Sequence, residues 1–302
     1  MRIVIIGGKG LIGRAVTEAA IAKGHNVVVL SRRIDKSGVP GAHVVLQQWD
    51  GKNADALCRI IDGLDAVINL AGESIGKGAW TDARKAELLK SRIEPAQALV
   101  AALKFCNEPP KVLIQASAIG YYGNSDGEKD ESSAPGDDYL ANFAVEWEDS
   151  TKAVEAMGIR RVIIRTGIVL KKEEGVLPQL MLPFKLMVGG QVGSGKQVYS
   201  WIHIKDEASA ILYLLEKSDA QGVFNLTAPL PLSNSEIGKV LARVMKRPYW
   251  MPVPGFALKL LLGEMSTLVL DGQKVMPKRL LESDFKFRFV YLEEALNDLL
   301  KS

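Results

Sequence analysis

Cysteine and histidine are scarce in this chain, with two of the first and three of the second among 302 residues. Cys58 and Cys106 lack the paired spacing of a zinc site and the density of a disulfide framework, so we expect free thiols in a reducing compartment. The histidines are isolated as well and show no metal-ligand spacing. The sequence therefore predicts no metal site.

An excess of one charge and long hydrophobic runs are also lacking. The formal net charge is only +3 and basic runs stop at two residues, as at Arg32-Arg33 and Lys171-Lys172, which argues against a nucleic-acid partner. No uncharged apolar stretch reaches about 18 residues, so no membrane span is predicted. The chain passes from Met1 directly into an apolar run that ends at Gly7, without room for a signal peptide. We therefore expect a cytoplasmic protein that binds neither membrane nor nucleic acid.

The first two-thirds of the chain contains a regular alternation of short β-branched runs and amphipathic stretches. The predicted strands are Ile3–Gly7, Asn26–Leu30, Val44–Gln47, Ala66–Leu70, Val112–Ala116 and Arg161–Ile164. The predicted helices are Leu11–Lys23, Ala54–Asp62, Ala79–Phe105 and Tyr139–Met157. Near-continuous apolar strands that alternate with helices are typical of a parallel sheet with helices on both faces. The predicted fold class is therefore α/β, a Rossmann-type doubly wound sheet with its chemistry at the carboxyl ends of the strands.

Beyond about Gly167 the composition shifts towards glycine, proline and tryptophan, and the predicted helices become shorter. Their ranges are Ile204–Lys217, Asn234–Met245, Phe256–Leu262 and Lys278–Ser283. We predict a dinucleotide-binding domain over residues 1–170 and a smaller, interleaved C-terminal α/β lobe over residues 171–302. Later segments of the chain are expected to return to the first domain.

The turn between the first predicted strand and the first predicted helix has the spacing of a dinucleotide-binding loop. Gly7 permits the tight turn, Gly10 lets backbone amides approach a pyrophosphate, and Gly13 lets the helix pack closely on the strand. Leu11 and Ile12 belong to the same loop and are included among the predicted cofactor contacts. Because the loop follows a strand and opens a helix, the pattern predicts a dinucleotide site rather than a ligand-free turn.

The residues after the second and fourth strands indicate which dinucleotide binds. A site for NAD usually has an acidic residue at the end of the second strand, whereas this strand is followed by Ser31 and Arg32. A hydroxyl and a guanidinium suit the 2′-phosphate of NADP(H), which a carboxylate would repel. Leu70, Ala71 and Gly72 leave the fourth strand and let the backbone lie against the adenosine portion. NADP(H) is therefore the predicted cofactor.

A series of longer motifs continues along the chain. They are Asn69–Gly72, Ser117, Gly120–Gly123, Arg165–Gly167, Leu182–Phe184, Gly193–Gln197, Trp201–Asp206, Asn225–Pro229, Gly263–Met265 and Gly272–Pro277. Together they resemble the extended short-chain dehydrogenase/reductase superfamily, and within it the atypical, SDR39U1/YfcH-like subgroup of the NAD(P)-dependent epimerase/dehydratase family. Members of that subgroup carry a C-terminal domain of the DUF1731 type, which would lie here at about residues 248–300. The resemblance runs from residue 1 to about residue 300.

The resemblance implies a Rossmann domain that holds NADP(H) and a lobe that binds a small-molecule substrate of unknown identity. It points to Glu87, Arg92 and Arg165 as cofactor neighbours, in addition to the glycine loop, Ser31, Arg32, Leu70 and Ala71. A homodimer is common among such relatives, so the resemblance implies a homodimer here as well.

One feature of the superfamily is missing. Its ordinary members place a Tyr-x-x-x-Lys pair on the helix after the fifth strand, where the ammonium lowers the pKa of the phenol for acid–base catalysis. Here Tyr139 is followed four residues later by Phe143, not lysine. The pair Tyr213 and Lys217 has the spacing but lies far beyond the sixth strand, and we interpret it as an ordinary amphipathic helix.

Other residues are the candidates for catalysis. Ser117 follows the fifth strand, and Tyr121 and Tyr122 follow on a loop, where each could polarise a substrate oxygen or simply pack on the cofactor. A histidine ordinarily has a pKa near neutrality, so His203 could be an acid or base, or a structural residue. The leading hypothesis is an NADP(H)-dependent oxidoreductase or epimerase-like enzyme on a small polar substrate. The alternatives are a non-catalytic NADP(H)-binding regulatory or scaffold protein and a nucleotide-sugar epimerase.

Overall fold

The computed structural model describes residues 1–33, 43–125 and 127–301, and a parallel sheet forms its centre. The strands are β1 Arg2–Ile6, β2 Asn26–Ser31, β3 Val44–Gln48, β4 Ala66–Asn69, β5 Val112–Ala118, β6 Glu128–Lys129, β7 Arg160–Thr166, β8 Ile168–Leu170, β9 Val198–Tyr199, β10 Trp201–His203, β11 Gly222–Leu226, β12 Leu232–Ser233 and β13 Lys274–Val275. Within the described residues, seven of these strands form one sheet in the order β11-β7-β5-β4-β1-β2-β3. Every pairing in that sheet is parallel.

Helices cover both faces of this sheet. They are α1 Leu11–Ala22, α2 Ala54–Ile61, α3 Asp82–Phe105, α4 Tyr139–Asp149, α5 Leu177–Lys185, α6 Ile204–Glu216, α7 Asn234–Met245, α8 Gly255–Leu262, α9 Thr267–Leu270, α10 Lys278–Leu281 and α11 Leu292–Lys301. Along β1 the buried side chains alternate: Ile3 and Ile5 pack with α1 and α6, whereas Val4 and Ile6 pack with α2 and α3. A strand buried on both faces has no polar side, which is why its sequence is a continuous apolar run. The predicted doubly wound α/β fold is confirmed.

The seventh strand of the sheet, β11, was absent from the predicted strands. Its sequence begins with a glycine and contains Asn225, so it lacks the unbroken apolar pattern of the others. Asn225 is nevertheless fully buried, because its side chain exchanges hydrogen bonds with Tyr122 and with the Met276 carbonyl. The chain beyond residue 171 thus contributes a strand to the central sheet.

The predicted helix Tyr139–Met157 is interrupted. α4 ends at Asp149, and a 3₁₀ helix follows over Lys152–Met157. Arg161 of β7 donates a hydrogen bond to the Glu148 carbonyl at 2.7 Å, and the Ser150 hydroxyl donates to the Trp147 carbonyl at 2.6 Å. Because side chains satisfy the carbonyls at this point, the backbone can end the helix without leaving them unpaired.

The C-terminal part of the chain builds a second apolar cluster beside the sheet, from α5, α7 and α11. The short strand β13 pairs with β6, so a segment near residue 275 lies against the loop that follows β5. Among the described residues, no helix is long and apolar enough to cross a bilayer. The same residues contain no group of three or more His, Cys, Asp or Glu side chains able to hold a metal ion.

Candidate functional site

The glycine loop between β1 and α1 forms the floor of a groove at the carboxyl edge of the sheet. Gly7 has a φ of +78°, and a Cβ added there would lie 2.7 Å from the Leu70 carbonyl oxygen. A Cβ at Gly13 would lie 2.5 Å from the Gly8 Cα. Gly10 precedes α1 without any side-chain cap, so the amides of the first helical turn remain available. Amides at the positive end of a helix are a binding site for a phosphate group.

The groove has a volume of about 270 Å³ and is lined by several of the predicted cofactor contacts. These are Gly7, Gly10, Ser31, Arg32, Leu70, Ala71 and Gly72. Two further segments complete its walls: Trp49–Lys52 after β3, and a stretch of α3 that contributes Lys90, Ser91, Glu94 and Pro95. Neither segment has a motif of its own, and only the order of the strands brings them to the groove.

The remaining predicted cofactor residues are not part of the groove lining. The side chains of Leu11 and Ile12 are partly buried against the C-terminal apolar cluster. Gly13 is the point where α1 packs against the loop. Glu87, on α3, accepts a hydrogen bond from Arg84 at 2.6 Å.

Arg32 projects from the end of β2 with 71% of its side chain exposed. Its guanidinium lies 3.4 Å from the carboxylate of Glu73, which follows β4. Glu73 also accepts a hydrogen bond from Arg84 of α3 at 2.8 Å. That bond, supported by Arg32, holds the pKa of the Glu73 carboxyl below its usual value. The carboxylate is therefore ionised at neutral pH.

Arg92 lies behind the groove rather than in it. Its guanidinium is buried, donates to the Glu73 carbonyl at 2.9 Å, and packs 5.1 Å from the ring centroid of Phe143 and 4.9 Å from that of Trp147. A Cβ added at Gly72 would lie 2.9 Å from the Arg92 Cζ. Burial lowers the pKa of Arg92 to about 10. A lysine at position 143 would place a second cation beside it, so Phe143 suits this guanidinium where an ammonium would not.

Below the carboxyl edge of β5 and β7, four buried polar side chains form one network around Arg165. Arg165 makes a two-pronged ion pair with Glu148 of α4 at 2.8 and 2.9 Å. The Ser117 hydroxyl donates to the same carboxylate at 2.7 Å. Arg165 also donates to the Tyr122 hydroxyl at 3.0 Å, which in turn donates to Asn225 at 2.8 Å. Burial raises the pKa of Tyr122 to about 12, so its phenol stays protonated.

Tyr121 differs from its neighbour in facing the outside of this network. Its ring covers Arg165, whose Cζ lies 3.2 Å from the ring centroid. The side chain is half-buried, and its hydroxyl makes no hydrogen bond to the described residues. Of the two predicted tyrosines, Tyr121 is therefore the one whose phenol is free to meet a ligand, whereas the Ser117 and Tyr122 hydroxyls both donate within the protein.

His203 has a structural environment. It is fully buried, its Nδ1 accepts the Lys205 amide at 3.0 Å at the start of α6, and its ring stacks on Phe289 at 3.9 Å. Burial lowers the pKa of His203 to about 4, although Asp298 lies 3.3 Å from Nε2. The imidazole is neutral at physiological pH and caps a helix, and it is not part of the network around Arg165.

Sequence reasoning did not single out Glu73, Glu148 or Asn225, which organise this site. Asn225 belongs to the motif Asn225–Pro229 but was given no role in the site, and each of the three residues is paired with a residue distant in the chain. Arg165 lies at the end of an apolar strand, and buried charges are paired in proteins. This position is the one sequence signal that could have indicated a buried carboxylate partner for Arg165.

A parallel doubly wound sheet with a glycine loop at the start of its first helix defines a dinucleotide-binding protein of the Rossmann type. Residues 3–227 match the model of the NAD dependent epimerase/dehydratase family, and residues 253–299 match a domain of unknown function, DUF1731. The chain therefore belongs to the NAD dependent epimerase/dehydratase family and carries the C-terminal domain of its atypical subgroup. The resemblance drawn from the motifs is confirmed.

Relatives match over nearly their full lengths. The chain is 40% identical over 302 residues to the epimerase family protein YfhF of Bacillus subtilis, covering 99% of this chain and 98% of that protein. The crystal structure of human epimerase family protein SDR39U1 with NADPH has a TM-score of 0.89 and 32% identity, with 100% of this chain and 99% of that chain covered. The nucleoside-diphosphate sugar epimerase from Corynebacterium glutamicum has a TM-score of 0.79 and 30% identity, with 99% and 58% covered.

Proposed function

We propose that this protein is an NADP(H)-dependent oxidoreductase of the epimerase/dehydratase family that acts on a small polar substrate. The observation that carries the proposal is the groove itself, in which uncapped helix amides and glycine turns accompany Ser31 and Arg32. The groove has the features that a pyrophosphate and a 2′-phosphate require. The NADPH in the human relative's structure supports the same cofactor.

NADP(H) would supply a hydride at C4 of its nicotinamide, and the protein would orient the substrate and stabilise the charge on the reacting oxygen. Tyr121 is suited to that second task because its phenol is free and Arg165 lies against its ring. Two hydrogen bonds to Glu148 hold the Arg165 guanidinium in its position against the Tyr121 ring. Ser117 and Tyr122 act as supports of this arrangement, since their hydroxyl protons are already donated within the protein.

The first test is a fluorescence titration of NADPH and NADH against wild type and Arg32→Ala. We expect NADPH to bind at least about tenfold more tightly, which corresponds to about 1.4 kcal/mol. Arg32→Ala should remove that preference and leave NADH binding unchanged, because only the 2′-phosphate needs the guanidinium. Failure of both nucleotides to bind would contradict the proposal, and an equal loss of both in the variant would refute the role of Arg32.

A second candidate function is a non-catalytic NADP(H)-binding protein. Two observations favour it. Position 143 holds a phenylalanine, and the Ser117 and Tyr122 hydroxyls both donate hydrogen bonds within the protein. A panel of carbonyl compounds and nucleotide sugars, followed at 340 nm with bound NADPH, separates the two candidates. Turnover of any one compound supports the oxidoreductase, and an unchanged cofactor across the whole panel favours the binding protein. Interconversion of nucleotide sugars without net oxidation would identify an epimerase.

A further inference from the structure

The ion pair between Arg32 and Glu73 crosses the proposed cofactor groove. Arg32 follows β2 and Glu73 lies beyond the end of β4, and in the sheet these strands are separated by β1. Neighbouring strands lie about 4.8 Å apart, so roughly 10 Å separates the two flanking strands. Their side chains meet at 3.4 Å above the edge where β1 ends in the glycine loop. This pair therefore joins the two sides of the groove.

The two partners differ in how firmly they are held. Glu73 is fixed by α3, because Arg84 donates to its carboxylate at 2.8 Å, its amide donates to the Ser91 hydroxyl at 3.1 Å, and Arg92 donates to its carbonyl at 2.9 Å. Arg32 is 71% exposed at its side chain. Displacement of Arg32 therefore leaves Glu73 with a cationic partner, since Arg84 remains bonded to it.

We propose that Glu73 competes with the 2′-phosphate of the dinucleotide for Arg32 and so sets how strongly the protein distinguishes NADP(H) from NAD(H). The inference rests on the proposed function, because it assumes that Arg32 binds the 2′-phosphate. A dinucleotide with that phosphate draws the guanidinium away from Glu73, and a dinucleotide with only a 2′-hydroxyl leaves the pair intact. Glu73 thus reduces the affinity for NADP(H) while leaving the affinity for NAD(H) unaffected.

The expected magnitude follows from the exposure of the pair. An exposed Arg–carboxylate pair contributes little in water, and its removal corresponds to a change in affinity of about two- to fivefold. Glu73→Gln should therefore tighten NADPH binding by about two- to fivefold and leave NADH binding unchanged. Glu73→Asp, whose carboxylate is one methylene shorter, should change NADPH binding in the same direction because it no longer reaches Arg32.

The experiment is a titration of NADPH and NADH against wild type, Glu73→Gln, Glu73→Asp, Arg32→Ala and the Arg32→Ala/Glu73→Gln double variant. Glu293→Gln is the matched control, since it removes the same charge and an exposed pair with Arg243 in the C-terminal lobe. We expect the NADPH/NADH affinity ratio to rise in the two Glu73 variants, to stay at the wild-type value in the control, and to be unaffected by Glu73→Gln when Arg32 is absent.

Three outcomes would overturn the inference. Weaker NADPH binding in Glu73→Gln would mean that Glu73 orients Arg32 towards the phosphate. An equal change for both nucleotides would mean that Glu73 only supports the loop. An effect that persists without Arg32 would mean that the carboxylate acts on the phosphate directly. The proposed function fails separately, because in that case neither nucleotide binds to the wild type. The role of Arg32 fails if Arg32→Ala leaves the NADPH preference unchanged.

Discussion

Glu207 is a buried carboxyl group that makes no ion pair with any of the described residues. It is fully buried at the start of α6 and accepts one hydrogen bond, from the Thr166 hydroxyl at 2.8 Å. Its second carboxyl oxygen has no hydrogen-bond partner among the described residues. Burial raises the pKa of Glu207 to about 8. The side chain is therefore protonated in the folded protein at neutral pH, whereas it is ionised in the unfolded chain.

This difference makes the stability depend on pH. Below a pH of about 4.5 both states are protonated and there is no penalty, but between about 4.5 and 8 only the unfolded state ionises, so stability falls as pH rises. The total loss is on the order of 4 kcal/mol. Glu207→Gln cannot ionise, so we expect its stability relative to wild type to increase steadily from pH 5 to pH 8 in urea unfolding. A stability difference that is the same at every pH would contradict this assignment.

The cofactor groove is the part of the candidate site that could be predicted from individual residues of the sequence. Gly7 and Gly13 have to be glycines because a Cβ would lie 2.7 Å from the Leu70 carbonyl oxygen at the first and 2.5 Å from the Gly8 Cα at the second. Their spacing is fixed by this local geometry. Ser31 and Arg32 were predicted because the end of the second strand meets the ribose in this fold, and both line the groove. Glu73 was not found, because its role depends on a partner from another strand end.

At the scale of elements, the 3₁₀ turn Ile119–Tyr122 separates two adjacent tyrosines that the sequence could not distinguish. The turn directs Tyr122 inward, where it is 1% exposed and bonded to Arg165 and Asn225. It leaves Tyr121 on the outer side of Arg165. Consecutive residues of a tight turn point in different directions, but the sequence alone does not say which one points to the core.

Because the two side chains point in different directions, replacement by phenylalanine should have different effects on stability at the two positions. Tyr122→Phe leaves the Asn225 side-chain oxygen and an Arg165 N–H without their hydrogen bonds to the phenol, so we expect it to lower the free energy of unfolding by about 1–3 kcal/mol. Tyr121→Phe removes a hydroxyl with no hydrogen bond to the described residues, so it should leave stability unchanged within about 0.5 kcal/mol and lower turnover of any accepted substrate. Thermal unfolding and NADPH-linked turnover of both variants check this. Equal destabilisation by the two substitutions would show that Tyr121 is also structural.

Helices and strands with a regular hydrophobic pattern were predicted closely. Those stabilised by residues distant in the chain were not. The six predicted strands, which correspond to β1 to β5 and β7, were located to within a few residues, and all of them except the edge strand β3 are largely buried. β11 was missed because the polar Asn225 interrupts its pattern, and that residue is tolerated only because Tyr122 and the Met276 carbonyl satisfy it. The predicted helix extends beyond the end of α4. The side chain that donates to a carbonyl in the last turn of α4 is Arg161, which belongs to β7, so the sequence of the helix itself does not show where it ends.

At the scale of the whole molecule, the C-terminal family domain is bonded into the dinucleotide-binding fold rather than attached to it. The Ser200 hydroxyl donates to the Gln273 carbonyl at 2.7 Å, and Thr227 donates to the Val275 carbonyl at 3.1 Å. Asp206 accepts the amides of Arg288 and Phe289, each at 2.9 Å. The donors and acceptors on the first part of the chain are all buried. Their partners come from residues 273–289, so the two parts complete one another.

Removal of residues 253–302 should therefore prevent stable folding of the remainder. The truncated chain would leave the buried side chains of Ser200, Thr227 and Asp206 without partners, each at a cost of about 1–3 kcal/mol. It would also uncover the apolar cluster that α11 covers with Leu292, Ala295, Leu296 and Leu299. A typical stability of about 5–15 kcal/mol cannot absorb both losses.

We expect a chain of residues 1–252 to show no cooperative unfolding transition and no NADPH binding, and co-expression with residues 253–302 to restore both. A full-length variant with Leu296→Ala is the graded control: it creates one cavity beneath α11 and should unfold cooperatively with about 2–5 kcal/mol less stability. Circular dichroism with urea and the NADPH titration measure both properties. Cooperative unfolding and tight NADPH binding by residues 1–252 alone would show that the family domain is an independent addition, because those buried groups would then have found other partners.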